Sequence, residues 1–186
     1  MVMNLEKVID SPFSETAKAH LQSLTENMEF RGENYTYEHI NYRCEETGLE
    51  FTTDEMDFDN LERVYVQYRA KHGIPSPKEI KETRELYGLS AAKMSEILGI
   101  GTNQYRLYED GVMPSEAIGK MLQSIRTPAV FLGYVENCKG QMSAEDYEKL
   151  CEKIQKSLLQ DLKGQKGISW FRDFFSMGGL IGKVAL

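Results

Sequence analysis

The chain has 186 residues, of which 41% are hydrophobic and 27% are charged, and its formal net charge at pH 7 is −7. This size suits one or two small globular domains. No run of about 18 apolar residues occurs, which excludes a conventional membrane-spanning helix. The sequence starts without the basic and apolar stretches of a signal peptide, and three cysteines are too few for a disulfide framework. We therefore expect a cytoplasmic protein with reduced thiols.

Residues 1–56 are predicted to form a small β-rich domain. Aromatic and β-branched residues cluster in three segments that glycine and asparagine residues separate, as expected for strands joined by turns. The predicted strands are Met28–Glu33, Tyr35–Tyr42 and Gly48–Thr53. Three short strands are marginally stable alone, so such a module needs a metal, a partner or a packed helix. Residues Glu15–Asn27 are the candidate for that helix.

The negative charge is concentrated in the N-terminal third. Residues 1–60 contain 4 basic and 14 acidic side chains, whereas residues 61–127 contain 10 basic and 8 acidic ones. DNA would repel the acidic third, so this part is expected to face another partner. A basic protein partner and simple solubility both account for the acidity. The middle segment is compatible with local phosphate contacts, although it lacks a strong basic patch.

Two helices are predicted before the central motif. The first, Asp59–Lys71, carries an apolar stripe and ends before Gly73. The second starts at Ser76–Glu79, a capping box with proline at the first helical position, and ends at Gly88. These signals predict an all-α region after the β-rich domain.

The central motif is residues 89–111, LSAAKMSEILGIGTNQYRLYEDG, which predict a helix-turn-helix. Ser90 is placed to cap the first helix, and Gly99 to end it where a positive φ is useful. The apolar face of this helix consists of Met94, Ile97 and Leu98. A DNA-binding motif and an ordinary helix pair with a solvated polar face both fit this pattern.

The second helix of the motif supplies the candidate base-reading residues. With Tyr105 and Tyr108 facing inward, a rotation of about 100° per residue directs Asn103 and Leu107 outward. Asparagine and glutamine can bond adenine twice, arginine can reach a guanine or a phosphate, and leucine can contact a thymine methyl group. The candidate DNA-contacting residues on this helix are Asn103, Gln104, Arg106, Leu107 and Thr102.

Two short patterns give the chain a family resemblance. Residues 42–52, YRCEETGLEFT, resemble the second knuckle of a zinc ribbon, Cys-x-x-Cys-Gly-x-x-Phe, and Ser11–Ser14 stands where the first Cys-x-x-Cys would be. With the helix-turn-helix downstream, residues 10–127 resemble an MqsA-type antitoxin, in which a zinc ribbon precedes an Xre-like DNA-binding domain. The resemblance implies that residues 1–56 bind a cognate toxin protein and that residues 57–127 bind double-stranded operator DNA as a homodimer.

The zinc site of that family is degenerate in this chain. Of the four expected ligand positions only one retains a thiol, and neutral hydroxyls do not replace thiolates in structural zinc sites. The four positions are Ser11, Ser14, Cys44 and Thr47. His20 and His39 together with Cys44 match no usual ligand spacing. We therefore expect neither a metal nor another cofactor.

The DNA-reading residues also depart from the family pattern. The family reads bases with an asparagine early in the recognition helix and an arginine one turn later. Asn103 matches the first position, but Leu107 stands at the second, with Arg106 beside it. Ala91 stands where Xre-like domains carry a polar phosphate contact. The candidates for that contact are Ser90 and Lys93.

Residues 128–186 are predicted to form a helical extension. One helix covers Ala129–Cys138 and is a candidate dimer interface, and another runs from Ser143 to about Lys163. The apolar tail Ile168–Leu186 is expected to fold back, to pair across a dimer or to meet a partner. A further helix, opened by Pro114–Ser115, completes the predicted Xre-like domain.

The sequence as a whole predicts an α+β protein. No nucleophile–base pair, paired carboxylate or nucleotide-binding loop has a recognisable spacing, so we expect no enzyme. The leading hypothesis is an antitoxin that represses its own operator. The alternative is a stand-alone helix-turn-helix regulator whose N-terminal domain senses a protein or a small ligand.

Overall fold

The computed structural model describes residues 6–164, with side chains up to residue 160. Its α+β architecture confirms the predicted fold class: an antiparallel four-stranded sheet in the order β1-β2-β3-β4 is followed by helices. The strands are β1 Val8–Asp10, β2 Lys18–Phe30, β3 Glu33–Cys44 and β4 Glu50–Phe51. The helices are α1 Asp54–His72, α2 Pro77–Tyr87, α3 Ala91–Leu98, α4 Gln104–Glu109, α5 Glu116–Ser124, α6 Pro128–Asn137 and α7 Ala144–Gly164, with a 3-10 turn at Lys139–Gln141.

The chain divides into two compact units. The first comprises the described residues up to Ser76 together with Met113–Lys120, and the second comprises Pro77–Val112 and the described residues from Met121 onward. The predicted domain boundary after residue 56 falls inside α1, which belongs with the sheet because its buried side chains pack there. The predicted apolar tail, Ile168–Leu186, lies outside the described residues.

The helix predicted over Glu15–Asn27 is wrong, because β2 occupies most of that segment. β2 pairs with β3 from Ala19↔Cys44 to Phe30↔Glu33 and forms a long antiparallel hairpin. Its alternate side chains lie on opposite faces, and the ladder bonds the backbone groups that face β3 in a segment whose polar composition gives no strand pattern. The two predicted strands Met28–Glu33 and Tyr35–Tyr42 are therefore parts of this one hairpin.

Arg31 and Gly32 form the two-residue turn of the hairpin, with φ values of 52° and 81°. Such a turn requires positive φ at both positions, which is unusual for an arginine. The Arg31 guanidinium donates to the carbonyl oxygens of Pro114 and Met113 at 2.7 and 3.1 Å. It also lies 5.3 Å from the ring centroid of Tyr68. The hairpin tip thus binds the segment that precedes α5.

Helix α1 crosses the outer edge of β3 and packs on both faces of the hairpin. Met56, near its N-terminus, packs with Tyr42, whereas Val64 packs with Tyr35. Tyr35 and Tyr42 are an odd number of positions apart on β3 and therefore face opposite sides of the sheet. Asn60 lies between these contacts and is 3% exposed. Its side chain accepts from the Ile40 N–H at 2.9 Å and donates to the Ile40 carbonyl oxygen at 2.8 Å.

The second unit is an all-α core. The Tyr87 hydroxyl donates to the carbonyl oxygen of Ile125 at 2.8 Å, and its ring stacks on Phe131 with centroids 4.1 Å apart. Phe131 and Val135 of α6 are fully buried within the chain. That side of α6 is therefore not available as the predicted dimer interface. Among the described residues, no helix combines the length and apolar character needed to cross a membrane.

Candidate nucleic-acid interface

The first helix of the motif begins and ends where the sequence predicts. Ser90 has an extended backbone, and its hydroxyl accepts from the Lys93 N–H at 3.1 Å. Gly99 ends α3 with φ 65°, and its N–H reaches the carbonyl oxygens of the last turn. Both caps are confirmed. The five residues 99–103 form the turn between α3 and α4.

A buried serine orients the second helix on the first. The Ser95 hydroxyl, on the inner side of α3, accepts from the Tyr105 N–H at 3.0 Å. The ring of Tyr105 is fully buried, and its hydroxyl donates to the Ile80 carbonyl oxygen of α2 at 2.8 Å. Burial raises the pKa of Tyr105, so this hydroxyl stays protonated and keeps donating. Sequence periodicity predicts the burial of Tyr105 but not the role of Ser95, because a lone serine inside a helix gives no distinctive pattern.

An ion pair fixes the far end of the second helix. Arg84 of α2 donates through Nε and Nη2 to the two carboxylate oxygens of Glu109, at 2.5 and 3.2 Å. The side chains are 18% and 11% exposed. Arg84 also donates to the Leu89 carbonyl oxygen at 3.0 Å, directly before α3. Glu109 raises the pKa of Arg84, so the guanidinium remains charged. One side chain therefore ties α2, the start of α3 and the end of α4 together.

The candidate base-reading residues lie on the outer side of this assembly. Thr102, Asn103, Arg106 and Leu107 are exposed, and Gln104 is half-buried. The prediction that Asn103 lies within the second helix is wrong. Helix α4 begins at Gln104, and Asn103 precedes it with a φ of 65°. Asparagine tolerates this left-handed conformation better than most residues. The helical rotation argument therefore does not apply to Asn103, although its side chain is exposed as predicted.

The candidate phosphate contacts share a surface depression with the turn that precedes α4. A cavity of about 570 Å³ is lined by Ser90, Lys93 and Ser95 of the α3 region and by Gly101 and Thr102 of the turn. The Lys93 ammonium pairs with Glu96 at 2.8 Å, and Arg106 lies 3.8 Å from Asp110. Both cations already have a carboxylate neighbour, so their attraction for phosphate is weakened. This pairing agrees with the lack of a strong basic patch in the sequence.

The degenerate knuckle in the N-terminal unit is a hydrogen-bonded cluster around one thiol. The Ser11 and Thr47 hydroxyls and the Thr47 and Glu46 backbone lie beside the buried sulfur of Cys44. Hydrogen bonding by these groups to the thiolate, first of all by Ser11, lowers the pKa of Cys44 to about 7. Ser14 instead donates to a carboxylate oxygen of Glu46 at 2.5 Å. Of the four predicted ligand positions, Ser11, Cys44 and Thr47 therefore lie together, whereas the Ser14 hydroxyl bonds elsewhere.

This donor set does not fit zinc. A structural zinc ion takes four ligands, usually thiolates and imidazoles, whereas the cluster offers one sulfur and neutral hydroxyls. The two histidines have other neighbours: His20 lies 3.1 Å from Glu45, and His39 lies 3.1 Å from the Tyr37 hydroxyl. Across residues 6–164, no group of three or more metal-binding side chains has a suitable arrangement.

Replacing Ser11 by alanine is expected to raise the pKa of the Cys44 thiol, because its strongest hydrogen-bond donor is lost. The measurement is the ultraviolet absorbance of the thiolate as a function of pH, with Cys44→Ser as the blank. Ser14→Ala is the matched control and should leave the pKa unchanged. Since the folded state holds the lower pKa, the wild type gains stability as the pH rises above about 7 and loses it as the pH falls. An unchanged titration in Ser11→Ala would contradict this assignment.

No protein-family model matches this chain, and no curated protein matches it significantly. The functional interpretation therefore rests on the residues and their geometry.

Proposed function

We propose that the protein is a non-catalytic antitoxin of the MqsA type that also represses transcription from its own operator. The observation that carries this proposal is the helix-turn-helix geometry: α3 and α4 are held by buried hydrogen bonds, while polar side chains at the start of α4 are exposed. A helix pair of this form places its second helix in the DNA major groove. The degenerate knuckle in the N-terminal unit adds the second half of the family pattern.

The proposed DNA contacts follow from the chemistry of the exposed side chains. Asn103 and Gln104 present amides to adenine, and Leu107, which is 41% exposed, presents methyl groups to thymine. Ser90 and Lys93 would contact the phosphate backbone, with Lys93 exchanging Glu96 for a phosphate. A homodimer would place two such helices on neighbouring half-sites of a double-stranded operator.

The N-terminal unit is the proposed toxin-binding part, and it needs no metal for this role. Where the family holds zinc between its two knuckles, Ser11 of the first loop lies beside Cys44 of the second, whose thiolate it stabilises. The acidic character of residues 1–60 favours a basic surface on the toxin. Toxin neutralisation would occur in the cytoplasm by steric or conformational block.

Co-expression with the product of the neighbouring gene tests the antitoxin proposal. The neighbour alone should arrest growth, and this chain should restore growth and co-purify with it. A non-toxic neighbour that still leaves operator binding intact would favour the stand-alone regulator instead. A chain that binds neither DNA nor the neighbour would overturn both functions.

Replacing Asn103 and Gln104 together by alanine is expected to weaken binding to the DNA upstream of the coding region by about 10- to 100-fold, because each amide bonds a base edge. The measurement is a fluorescence-anisotropy titration at fixed salt. Asn137→Ala with Gln141→Ala is the matched control, since both residues are exposed amides of the same unit away from α4. Equal affinity of the two double variants would refute the recognition-helix assignment.

A further inference from the structure

The two long edges of the hairpin are treated differently by the fold. Along β3, β4 pairs with Tyr42 and Arg43, and the side chains of α1 cover the next part of the edge. Asn60 bonds both backbone groups of Ile40, and Gln67 donates to the Thr36 carbonyl oxygen at 3.0 Å. The chain itself therefore bonds the β3 edge at Thr36, at Ile40 and along the segment that pairs with β4.

In the part of the chain that the structure describes, the β2 edge is covered at its beginning. β1 pairs with Lys18, Ala19 and His20, and the last bond runs from the Leu21 N–H to the Lys7 carbonyl oxygen at 2.9 Å. Within residues 6–164, no strand pairs with β2 beyond that point. The remaining edge, Ser23–Glu29, is about 20 Å long at the usual rise of a strand.

The register shows which backbone groups are left on this edge. In an antiparallel strand the N–H and C=O groups of alternate residues point to the same side. The Leu21 N–H points to β1, whereas the Lys18 carbonyl oxygen accepts from Glu45 at the end of β3. Odd-numbered residues of β2 therefore direct their backbone groups away from β3. The open donors and acceptors belong to Ser23, Thr25 and Asn27, all with exposed side chains, and to Glu29 at the end.

Within residues 6–164, this edge has little of the usual protection against strand addition. Natural edges are blocked by charged side chains, above all lysine, by proline, by bulges or by a covering element. Residues 23–29, SLTENME, contain no lysine, arginine or proline, and their pairing with β3 is uninterrupted, so Glu26 and Glu29 are the charges on the edge. An edge of this length is a template for a strand from another chain.

The charges beside the edge select the type of strand. Glu26 and Glu29 lie on opposite faces of β2, so a strand added there meets a carboxylate on each face. Glu29 is exposed, and the Glu26 side chain is 42% exposed. Antiparallel pairing of two β2 edges centred on this segment would place Glu26 beside Glu26, or Glu29 beside Glu29, of the second copy, which like-charge repulsion disfavours. A basic strand of a different protein fits both requirements.

We propose that the β2 edge from Ser23 to Glu29 receives a β-strand of a partner protein whose neighbouring side chains are basic. The inference rests on the proposed function only for the identity of that partner, which would be the toxin. Main-chain hydrogen bonds would supply affinity, and pairing with Glu26 and Glu29 would supply selectivity for lysine or arginine side chains.

Amide hydrogen exchange of the free, full-length chain tests whether the edge is open. The amides of Ser23, Thr25 and Asn27 should exchange at least about 100-fold faster than those of Leu24, Glu26 and Met28, which bond to β3. Protection of the first three would overturn the proposal. Concentration-dependent protection would then identify a second copy as the occupant, and protection lost on deletion of residues 1–5 would identify the chain's own N-terminus.

Peptide probes test the selectivity without a toxin. An octapeptide of the repeat Lys-Lys-Val-Val, which carries lysines on both faces of a strand, should slow exchange at Ser23, Thr25 and Asn27. The matched peptide of the repeat Glu-Glu-Val-Val should not. Equal protection by both peptides, or by neither, would overturn the proposal. Failure of co-expression, in contrast, would count against the antitoxin function and leave this result standing.

Backbone variants separate strand addition from ordinary surface contact. Thr25→Pro removes one open N–H and should lower the affinity for the lysine-containing peptide by about 10-fold. Thr25→Ala keeps this N–H, so its affinity for the peptide should stay within about 2-fold of that of the wild type. Protected amides at Leu24 and Glu26 verify the hairpin, and Asn27→Pro with Asn27→Ala repeats the pair if Thr25→Pro unfolds. Equal binding by the proline and alanine variants would overturn the proposal.

Discussion

Replacing Asn60 by alanine is expected to lower the free energy of unfolding by about 2–4 kcal/mol, because it leaves two buried backbone groups without partners. Asn60 is 3% exposed and bonds both the N–H and the C=O of Ile40. No water replaces the lost amide unless the helix moves away from the strand. We therefore expect the contacts of α1 on both sides of the hairpin to loosen together.

The measurement is denaturant unfolding of the full-length chain followed by circular dichroism, with amide exchange along β3 as the local readout. Gln67→Ala is the matched control, because Gln67 is exposed and donates a single bond to the same strand edge. Its expected cost is below about 1 kcal/mol. Equal effects of the two variants would refute the role of Asn60 as the buried contact between α1 and β3.

Replacing Arg84 by alanine is expected to cost about 3 kcal/mol of unfolding free energy and to abolish sequence-specific DNA binding. The substitution leaves the Glu109 carboxylate, 11% exposed, without its cation. It also removes the donor to Leu89 that fixes the start of α3. Because α4 has only six residues, its end depends on such outside contacts more than that of a longer helix does.

A double-mutant cycle isolates the ion pair. Arg84→Met combined with Glu109→Leu removes both charges and keeps apolar volume. The double variant should therefore lose less unfolding free energy than Arg84→Ala does. The readouts are denaturant unfolding and DNA titration for each single and double variant. Additive costs of the single substitutions would show that the two charges act independently and would contradict the assignment.

The helices were largely predictable from the sequence, because their ends are encoded locally. Thr53, Ser90 and Ser143 each accept from a backbone N–H at a helix start, and Gly73 and Gly99 end helices with positive φ. Each signal involves residues a few positions apart. α1 nonetheless begins at Asp54, five residues before its predicted start, because the acidic residues after Thr53 suit the first turn.

The hairpin was harder to predict, because its stability is not local. The helix predicted over Glu15–Asn27 rests on a polar composition that is compatible with a helix. Most of this segment becomes the strand β2 through its register with β3 and the packing of α1. The exposed candidates on α4 follow from helical periodicity, with the exception of Asn103 before the helix. The supports of that surface, Ser95 and the Arg84–Glu109 pair, link positions 10 and 25 residues apart, which no short pattern encodes.

The Arg31 contact has a consequence for how this protein is made and dissected. Its guanidinium binds the carbonyl oxygens of Met113 and Pro114, and Gly119 of α5 lies so close to Ile74 that an added Cβ would come within 2.5 Å of it. The sheet unit is therefore completed by residues that leave the ribosome some forty positions after Ser76. A fragment truncated at residue 76 lacks these acceptors and exposes Ile74, and one truncated at residue 56 also lacks most of α1. Deletion mapping of a partner site should therefore retain the chain through Lys120.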